Sequence, residues 1–372
     1  MKINYNYLPE EFANVDDIFV DWKELIKSTE FTLGSFVEKF EDKFKSYIGV
    51  DYCISTNNGT DALILSLKSL GIGKGDQVIT VANTFYATVG AIVAVGATPV
   101  LVDCDSRFQI DVNKIEEAIN SKTKAVMPVH WGGASPDMIA IKKLCDKNNI
   151  QIVEDACMGI GAKVQGQNPG TIGNVNAFSM HPLKSLNAMG DGGMVVTNDK
   201  QLAMWMKKYR NHGMVDRDHI DFWGINMRLQ PLQAVVASRG LDRLSDTIIK
   251  RNKNAKILDL GLIRLKEFVQ VPERIENSTE TFALYMALFK DRDGLKDYLI
   301  SNEIEVKVHY PIPLNKQKAA KVNCIFNENE LKNVNYQASS ILTIPVHQFL
   351  LEGHMHFILE KIYTFYGKKY GN

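Results

Sequence analysis

Three short stretches combine residue types that can do chemistry with positions at which an α/β protein would display them. In such a protein, ligands bind beyond the carboxyl ends of the parallel strands. Asn58-Gly59-Thr60 follows a strand-like run and opens a helix-like one. Gly59 lets backbone approach a ligand, and a helix start offers free N–H groups and a positive dipole end to a phosphate. The Thr60 hydroxyl adds a contact there or simply caps the helix. Glu154-Asp155 ends the hydrophobic run Ile150–Val153, where an acidic pair either caps a loop or serves in catalysis. The third stretch is Ala177–Lys184, with Ser179 and His181 in it, followed by Gly190-Asp191-Gly192-Gly193 and an apolar run, Met194–Thr197. A lone lysine is usually a solvated charge. One lying between an apolar strand and a glycine-rich turn, 29 positions after Asp155, points to a more specific use.

The elements needed to position these residues are legible in the hydrophobic pattern. Phe36, Phe40, Phe44 and Ile48 form one stripe of a helix. Strands are expected at 52–55, 77–81, 100–103, 125–129 and 151–154, with helices at 60–70, 88–95, 112–120 and 137–147 between them. Short apolar strands separated by helices of about ten residues imply βαβ units and a mainly parallel sheet covered on both faces. After Asp155 the pattern turns glycine-rich, and a helix carrying Leu202, Met206 and Tyr209 leads into a segment at 230–244. Strand-like pieces at 282–289 and 305–309 mark a smaller α+β part, so the expected division is a large domain of residues 1–250 and a small one of 251–372.

Composition narrows the function. The 372 residues carry 43 basic and 43 acidic side chains, and no basic region of the kind a nucleic-acid surface requires. The most apolar stretch, 89–102, is too short to span a bilayer, and Met1–Pro9 has no apolar region of a secretory signal. The five cysteines are widely spread and form no CxxC pair, the pattern of reduced thiols in a cytosolic protein. A chain this long buries enough apolar surface to need no structural metal or disulfide. The expectation is a cytoplasmic protein with no membrane, metal or nucleic-acid partner.

Taken in order, the three stretches and further blocks resemble the DegT/DnrJ/EryC1/StrS family of sugar aminotransferases. The blocks include GTDAL (59–63), NTFYAT (83–88), GATPVLVDCD (96–105), IVEDA (152–156), FSMHPLK (178–184), GDGGMVVTND (190–199), RNHG (210–213), GINMR (224–228) and HYPIP (309–313). The resemblance implies fold type I, the aspartate-aminotransferase fold, with pyridoxal 5'-phosphate as cofactor. It implies that Lys184 binds the cofactor covalently and then moves the proton, and that Asp155 keeps the ring nitrogen protonated. Phe85 would stack on the ring, while Gly59, Thr60 and Ser179 would hold the phosphate. Asn226 would reach the phosphate from a neighbouring subunit, so a homodimer with shared sites is implied. His130, Trp131, His181, His309 and Tyr310 are candidate substrate contacts. One departure stands out: the family usually has glutamine three residues after the aspartate, and here Met158 cannot donate a hydrogen bond.

The implied reaction transfers the amino group of glutamate to a keto-sugar for lipopolysaccharide or other surface-glycan biosynthesis. HPLKSLNAMGDGG is similar to the branch that aminates C8 of 8-keto-3-deoxy-octulosonate; the alternative is a nucleotide-linked 3- or 4-keto sugar. General amino-acid aminotransferases usually fix a carboxylate with an arginine in the C-terminal domain, and none occurs here after Arg292. The family's dehydratase branch has histidine where Lys184 stands. A ligand-sensing regulator without catalysis is the reading from a different class.

Overall fold

The computed structural model describes residues 1–370. Its twelve strands are β1 (Tyr52–Thr56), β2 (Gln77–Val81), β3 (Thr98–Val102), β4 (Thr123–Met127), β5 (Gln151–Asp155), β6 (Lys163–Val164), β7 (Val175–Ser179), β8 (Gly193–Thr197), β9 (Val269–Gln270), β10 (Ser278–Thr279), β11 (Tyr285–Phe289) and β12 (Ile341–Ile344). Seven of them form one sheet in the order β1-β8-β7-β5-β4-β2-β3. Six run in the same direction; β8 alone runs against them, pairing antiparallel with both β1 and β7. The antiparallel strand brings its first residue, Gly193, beside Thr56 and Ser179 at the carboxyl ends of its neighbours.

The central strands are apolar on both faces because helices cover both. β7 and β8 are buried at every position. Helix Gly59–Ser69 packs its Ala62, Leu63, Leu65 and Leu67 into the core on one face, and Phe40 and Phe44 of helix Ser35–Ile48 fill the core on the other. Burial of a leucine or phenylalanine side chain stabilises by roughly 1.5–3 kcal/mol, so these two stripes hold the helices on the sheet's two faces.

The 32-residue helix Pro231–Leu262 runs without a break through the expected division at 250/251. Its first half packs Leu241, Leu244 and Ile248 beneath the sheet, and its second half packs Ala255, Leu258 and Leu262 into a separate core around β11, β12 and helix Glu352–Tyr370. Ile3 joins that second core, held by backbone hydrogen bonds with Glu303 and Glu305. Two expected strands come out shorter. The chain turns at Phe282 with φ 45°, so the strand begins only at Tyr285. In 305–309 only Lys307 pairs, with Thr343 of β12, before Pro311 and Pro313 interrupt the chain. Among the described residues no helix is long and apolar enough to cross a membrane, and no cluster of three potential metal ligands forms.

Candidate active site

A cavity of about 330 Å³ opens at the carboxyl ends of the sheet strands, and Asp155, the last residue of β5, lines it. Asp155 is buried, and its Oδ2 accepts a 2.7 Å hydrogen bond from the Thr88 hydroxyl. Its Oδ1 accepts from the Cys157 N–H at 3.2 Å. Thr84 Oγ1 lies 2.8 Å from Thr88 Oγ1, so a short chain of hydroxyls orients the carboxylate. Both donors are uncharged. A carboxylate held only by neutral groups at a cavity wall is suited to a cationic partner inside the cavity, such as a protonated ring nitrogen.

Lys184 lines the same cavity from the turn after β7. The turn is tied at both ends: the Lys184 N–H donates to the His181 carbonyl at 2.8 Å, and its carbonyl accepts from the Tyr7 hydroxyl at 3.2 Å. Enclosure by protein draws the ammonium pKa below the usual lysine range, against the opposing pull of Cys157 and Asp155. A lysine with a lowered pKa supplies more of the neutral amine that attacks carbonyl carbon. Burial, then Asp155, pushes the Cys157 thiol well above its ordinary range, so it stays protonated and inert.

The start of helix Gly59–Ser69 faces the cavity between them. Asn58 caps it, its Oδ1 accepting from the Asp61 N–H at 2.7 Å, while the N–H groups of Gly59 and Thr60 have no partner within the helix. A Cβ on Gly59 would stand 2.7 Å from Ser179 Cβ, 3.0 Å from Ser179 Oγ and 3.1 Å from Cys157 Sγ. Gly193 is equally constrained, since a Cβ there would come within 2.2 Å of the Asn58 carbonyl oxygen. The missing side chains leave a small cradle of N–H groups and hydroxyls, which fits a phosphate.

Aromatic rings form the opposite wall. Phe85 is 45% exposed and sits 6.2 Å from Tyr310, which in turn lies 5.7 Å from Trp131 and 5.3 Å from His309. The buried Trp131 Nε1–H has no hydrogen-bond partner among the described residues. His309 Nδ1 pairs with Thr343 Oγ1 at 2.9 Å, and burial together with Lys184 and Lys307 lowers its pKa to about 4. Partial burial, then Lys184, also lowers the pKa of His181. Met158 lines the cavity too, and its carbonyl accepts from Thr281 Oγ1 at 2.7 Å.

Two of the candidates lie elsewhere. His130 is fully buried outside this cavity, its Nε2 2.7 Å from Glu154 Oε2. Glu154 also accepts from the N–H groups of Gly170, Ile172 and Gly173. Burial alone would raise the Glu154 pKa; these hydrogen bonds, that of His130 foremost, leave it below the usual carboxylate range. His130 is therefore a core-pairing group and not a substrate contact of this cavity. Asn226 is exposed and is not among the residues lining this chain's own cavity; its Oδ1 accepts from Arg228 Nε at 3.0 Å. Among the cavity residues that escaped the sequence reading are Tyr7, Arg251 and His347, and Thr88, which stands behind Asp155, escaped it as well. Thr88 lies inside a recognised block, where its hydroxyl was the available signal; the other three carry no local pattern.

The profile of the DegT/DnrJ/EryC1/StrS aminotransferase family matches residues 14–363. The chain is 40% identical over 297 residues to a dTDP-3-amino-3,6-dideoxy-alpha-D-galactopyranose transaminase of Aneurinibacillus thermoaerophilus, covering 79% of this chain and 81% of that protein. It is 34% identical over 364 residues to a pleiotropic regulatory protein of Geobacillus stearothermophilus, covering 97% and 96%. Among solved structures, S. venezuelae DesV in complex with a ketimine intermediate superposes with a TM-score of 0.93 at 31% identity, covering 97% of each chain. The sheet and its single reversed strand are those of fold type I.

Proposed function

The chain belongs to the DegT/DnrJ/EryC1/StrS aminotransferase family and is a pyridoxal-phosphate-dependent sugar aminotransferase, and from that premise we propose that it carries the amino group of glutamate to a nucleotide-linked 3- or 4-keto sugar. The observation that carries the reading is the convergence of Lys184, Asp155 and the Gly59 cradle on one cavity. The A. thermoaerophilus relative is named for a dTDP-linked amino sugar, which favours a nucleotide-linked acceptor over an octulosonate.

The bound cofactor supplies an electron-withdrawing ring that stabilises negative charge on the adjacent substrate carbon. The chain's residues do the rest. The N–H groups of Gly59 and Thr60 and the Ser179 hydroxyl would hold the phosphate. Asp155, oriented by Thr88, would face the ring nitrogen and keep it protonated. Phe85 would cover the ring face. Lys184, its pKa lowered by enclosure, would hold the cofactor and, once freed as an amine, would serve as the base. His309 with its pKa near 4 is uncharged at neutral pH and, with Nδ1 committed to Thr343, offers Nε2 to a sugar hydroxyl. Trp131, His181 and Tyr310 complete the sugar wall.

The same reading makes the working unit a homodimer. Asn226 is exposed and does not line its own cavity, and it lies in a segment with Val215, Ile220, Ile225 and an 88% exposed Trp223. An exposed apolar group of this kind is suited to burial against a second copy, whose cavity the partner subunit's Asn226 would then complete.

The test is a screen of nucleotide-linked keto sugars and of the octulosonate, with glutamate as donor and 2-oxoglutarate release as readout. Glutamate-dependent amination of a dTDP- or UDP-linked keto sugar is expected. A purified protein that binds the cofactor yet shows no absorbance change with glutamate would be a sensor, and the enzyme assignment would fail.

A further inference from the structure

Three arginines are buried, and two of them have a carboxylate beside them: Arg210 pairs with Glu41, and Arg292 with Asp293 at 2.7 Å. The third, Arg251, is 2% exposed and lines the active-site cavity from the middle of helix Pro231–Leu262. Its contacts are all with neutral groups. Nε donates to Gln348 Oε1 at 2.9 Å, Nη2 to the Tyr7 hydroxyl at 2.8 Å, and Nη1 to the Phe282 carbonyl at 3.4 Å. The guanidinium carbon stands 5.2 Å over the Tyr7 ring. No carboxylate of the described residues lies within ion-pair distance of it. A buried charge left without a counter-charge is costly, and removal of one partner from a buried pair typically costs several kcal/mol. A protein carrying such a charge at a cavity wall is poised to receive an anion there.

The surroundings favour a particular anion. A guanidinium has five N–H donors, of which three are engaged here, and its planar fork matches a carboxylate. The Tyr7 hydroxyl links Arg251 directly to the Lys184 carbonyl, so the guanidinium is fixed relative to the reacting end of the cavity. His347 lines the same wall with Nε2 bonded to the Asn4 carbonyl at 3.1 Å and Nδ1 unpartnered. Burial lowers the His347 pKa to about 4, as it does that of His309, so neither histidine competes with Arg251 for negative charge near neutral pH.

We propose that Arg251 is the carboxylate-binding residue of this cavity, taking an acidic group of a substrate on its free N–H donors. The inference rests on the aminotransferase reading above. It places on the long helix the carboxylate-binding arginine that the residues after Arg292 do not supply. The carboxylate belongs either to the amino donor or to an acidic acceptor sugar, and the two sources are separable.

Calorimetric titration of the cofactor-loaded protein tests this with three probes that cannot be transaminated: glutarate, its diamide glutaramide, and glucuronate. The wild-type protein should bind glutarate or glucuronate and discriminate against glutaramide. Arg251→Gln should weaken the preferred carboxylate about 10- to 100-fold, with the cofactor absorbance unchanged, and Arg251→Lys should lose less. Loss confined to glutarate assigns the amino donor; loss confined to glucuronate assigns the sugar. A folded Arg251→Gln that binds both as tightly as wild type overturns the proposal. So does a wild-type protein indifferent to carboxylate against amide, a result obtainable even if the glutamine variant does not fold. Absorbance change on adding glutamate reports amino transfer separately, so an active enzyme with no such carboxylate preference would sink this inference alone.

Discussion

Replacing Gly59 by alanine adds one methyl group at the point where the helix start, Ser179 and Cys157 meet. That carbon would stand 2.7 Å from Ser179 Cβ, about 0.7 Å short of the 3.4 Å at which ordinary contact begins, and 3.1 Å from Cys157 Sγ. Ser179 Cβ cannot swing away, because it is attached directly to the backbone of β7, paired on both sides with β5 and β8. The helix start must therefore move. Overpacking of this size costs about 1–3 kcal/mol, while alanine in a helix returns up to about 1 kcal/mol over glycine, so the protein without cofactor should lose at most about 3 kcal/mol. A second effect falls on the ligand, since the N–H groups of Gly59 and Thr60 would be carried off their line to the phosphate. A tenfold weaker cofactor lowers the stabilisation by saturating ligand by about 1.3 kcal/mol, from about 2.7 kcal/mol at a hundredfold excess over Kd. Thermal melts of both proteins, with and without pyridoxal phosphate at that excess over the wild-type Kd, separate the two terms. An alanine variant with the same cofactor-induced shift in Tm as wild type would refute the cradle.

Asp155→Asn keeps the shape but removes the charge facing the ring nitrogen; because one pKa unit is worth about 1.4 kcal/mol, turnover should fall by orders of magnitude while cofactor binding largely survives, and near-normal turnover would reduce Asp155 to a loop cap. Lys184→Ala should abolish turnover and the visible band of the covalently held cofactor. Mixed with an inactive Asn226→Asp chain it should regain one intact site per hybrid dimer, and an active monomer, or exchanged dimers with no recovery, would exclude the shared site. Glu154 has a folded pKa below its ordinary 4.5, so its ionisation stabilises the fold in full above that value and the gain disappears as pH falls through the folded pKa. The Tm deficit of Glu154→Gln should accordingly be largest at neutral pH and close in acid; a deficit independent of pH would mean that packing, not charge, is what Glu154 contributes.

The sequence displays the sheet because the five runs at 52–55, 77–81, 100–103, 125–129 and 151–154 are apolar on both faces, and only a doubly covered strand needs that. Asp155 is readable because it ends such a run, and Lys184 because it stands between an apolar strand and a glycine-rich turn. His130 misleads for a physical reason: three residues past the end of β4 it has the position of a site residue, but its partner, Glu154, is 24 residues away in a strand whose acidic pair gives no sign of which carboxylate turns inward. Segment 305–309 alternates like a strand, with Val306 buried, yet only Lys307 finds an edge to pair with. Tyr7 and Arg251 touch across 244 residues of chain, and no local period encodes that contact.

This contrast separates the two ends of the cavity. On the proposed assignment the cofactor end comes from strand termini and one helix start, where the chemistry demanded of each position selects the residue type: a glycine where a phosphate would come close, a carboxylate that would face a ring nitrogen, a lysine on a turn. The proposed substrate end draws on Tyr7, Arg251, the pair His309-Tyr310 and His347, each brought to the cavity by a different part of the chain. Arg251 occupies the stretch of the long helix between Ile248, packed beneath the sheet, and Ala255, packed in the second core. The distance from its guanidinium to Lys184 is thus set by how the two cores lie along one rigid helix. A residue elsewhere in either core that shifts this packing would change which substrate fits before it changed cofactor binding. The choice of substrate is a tertiary property here, and for that reason the reaction class is written in short motifs while the identity of the sugar is not.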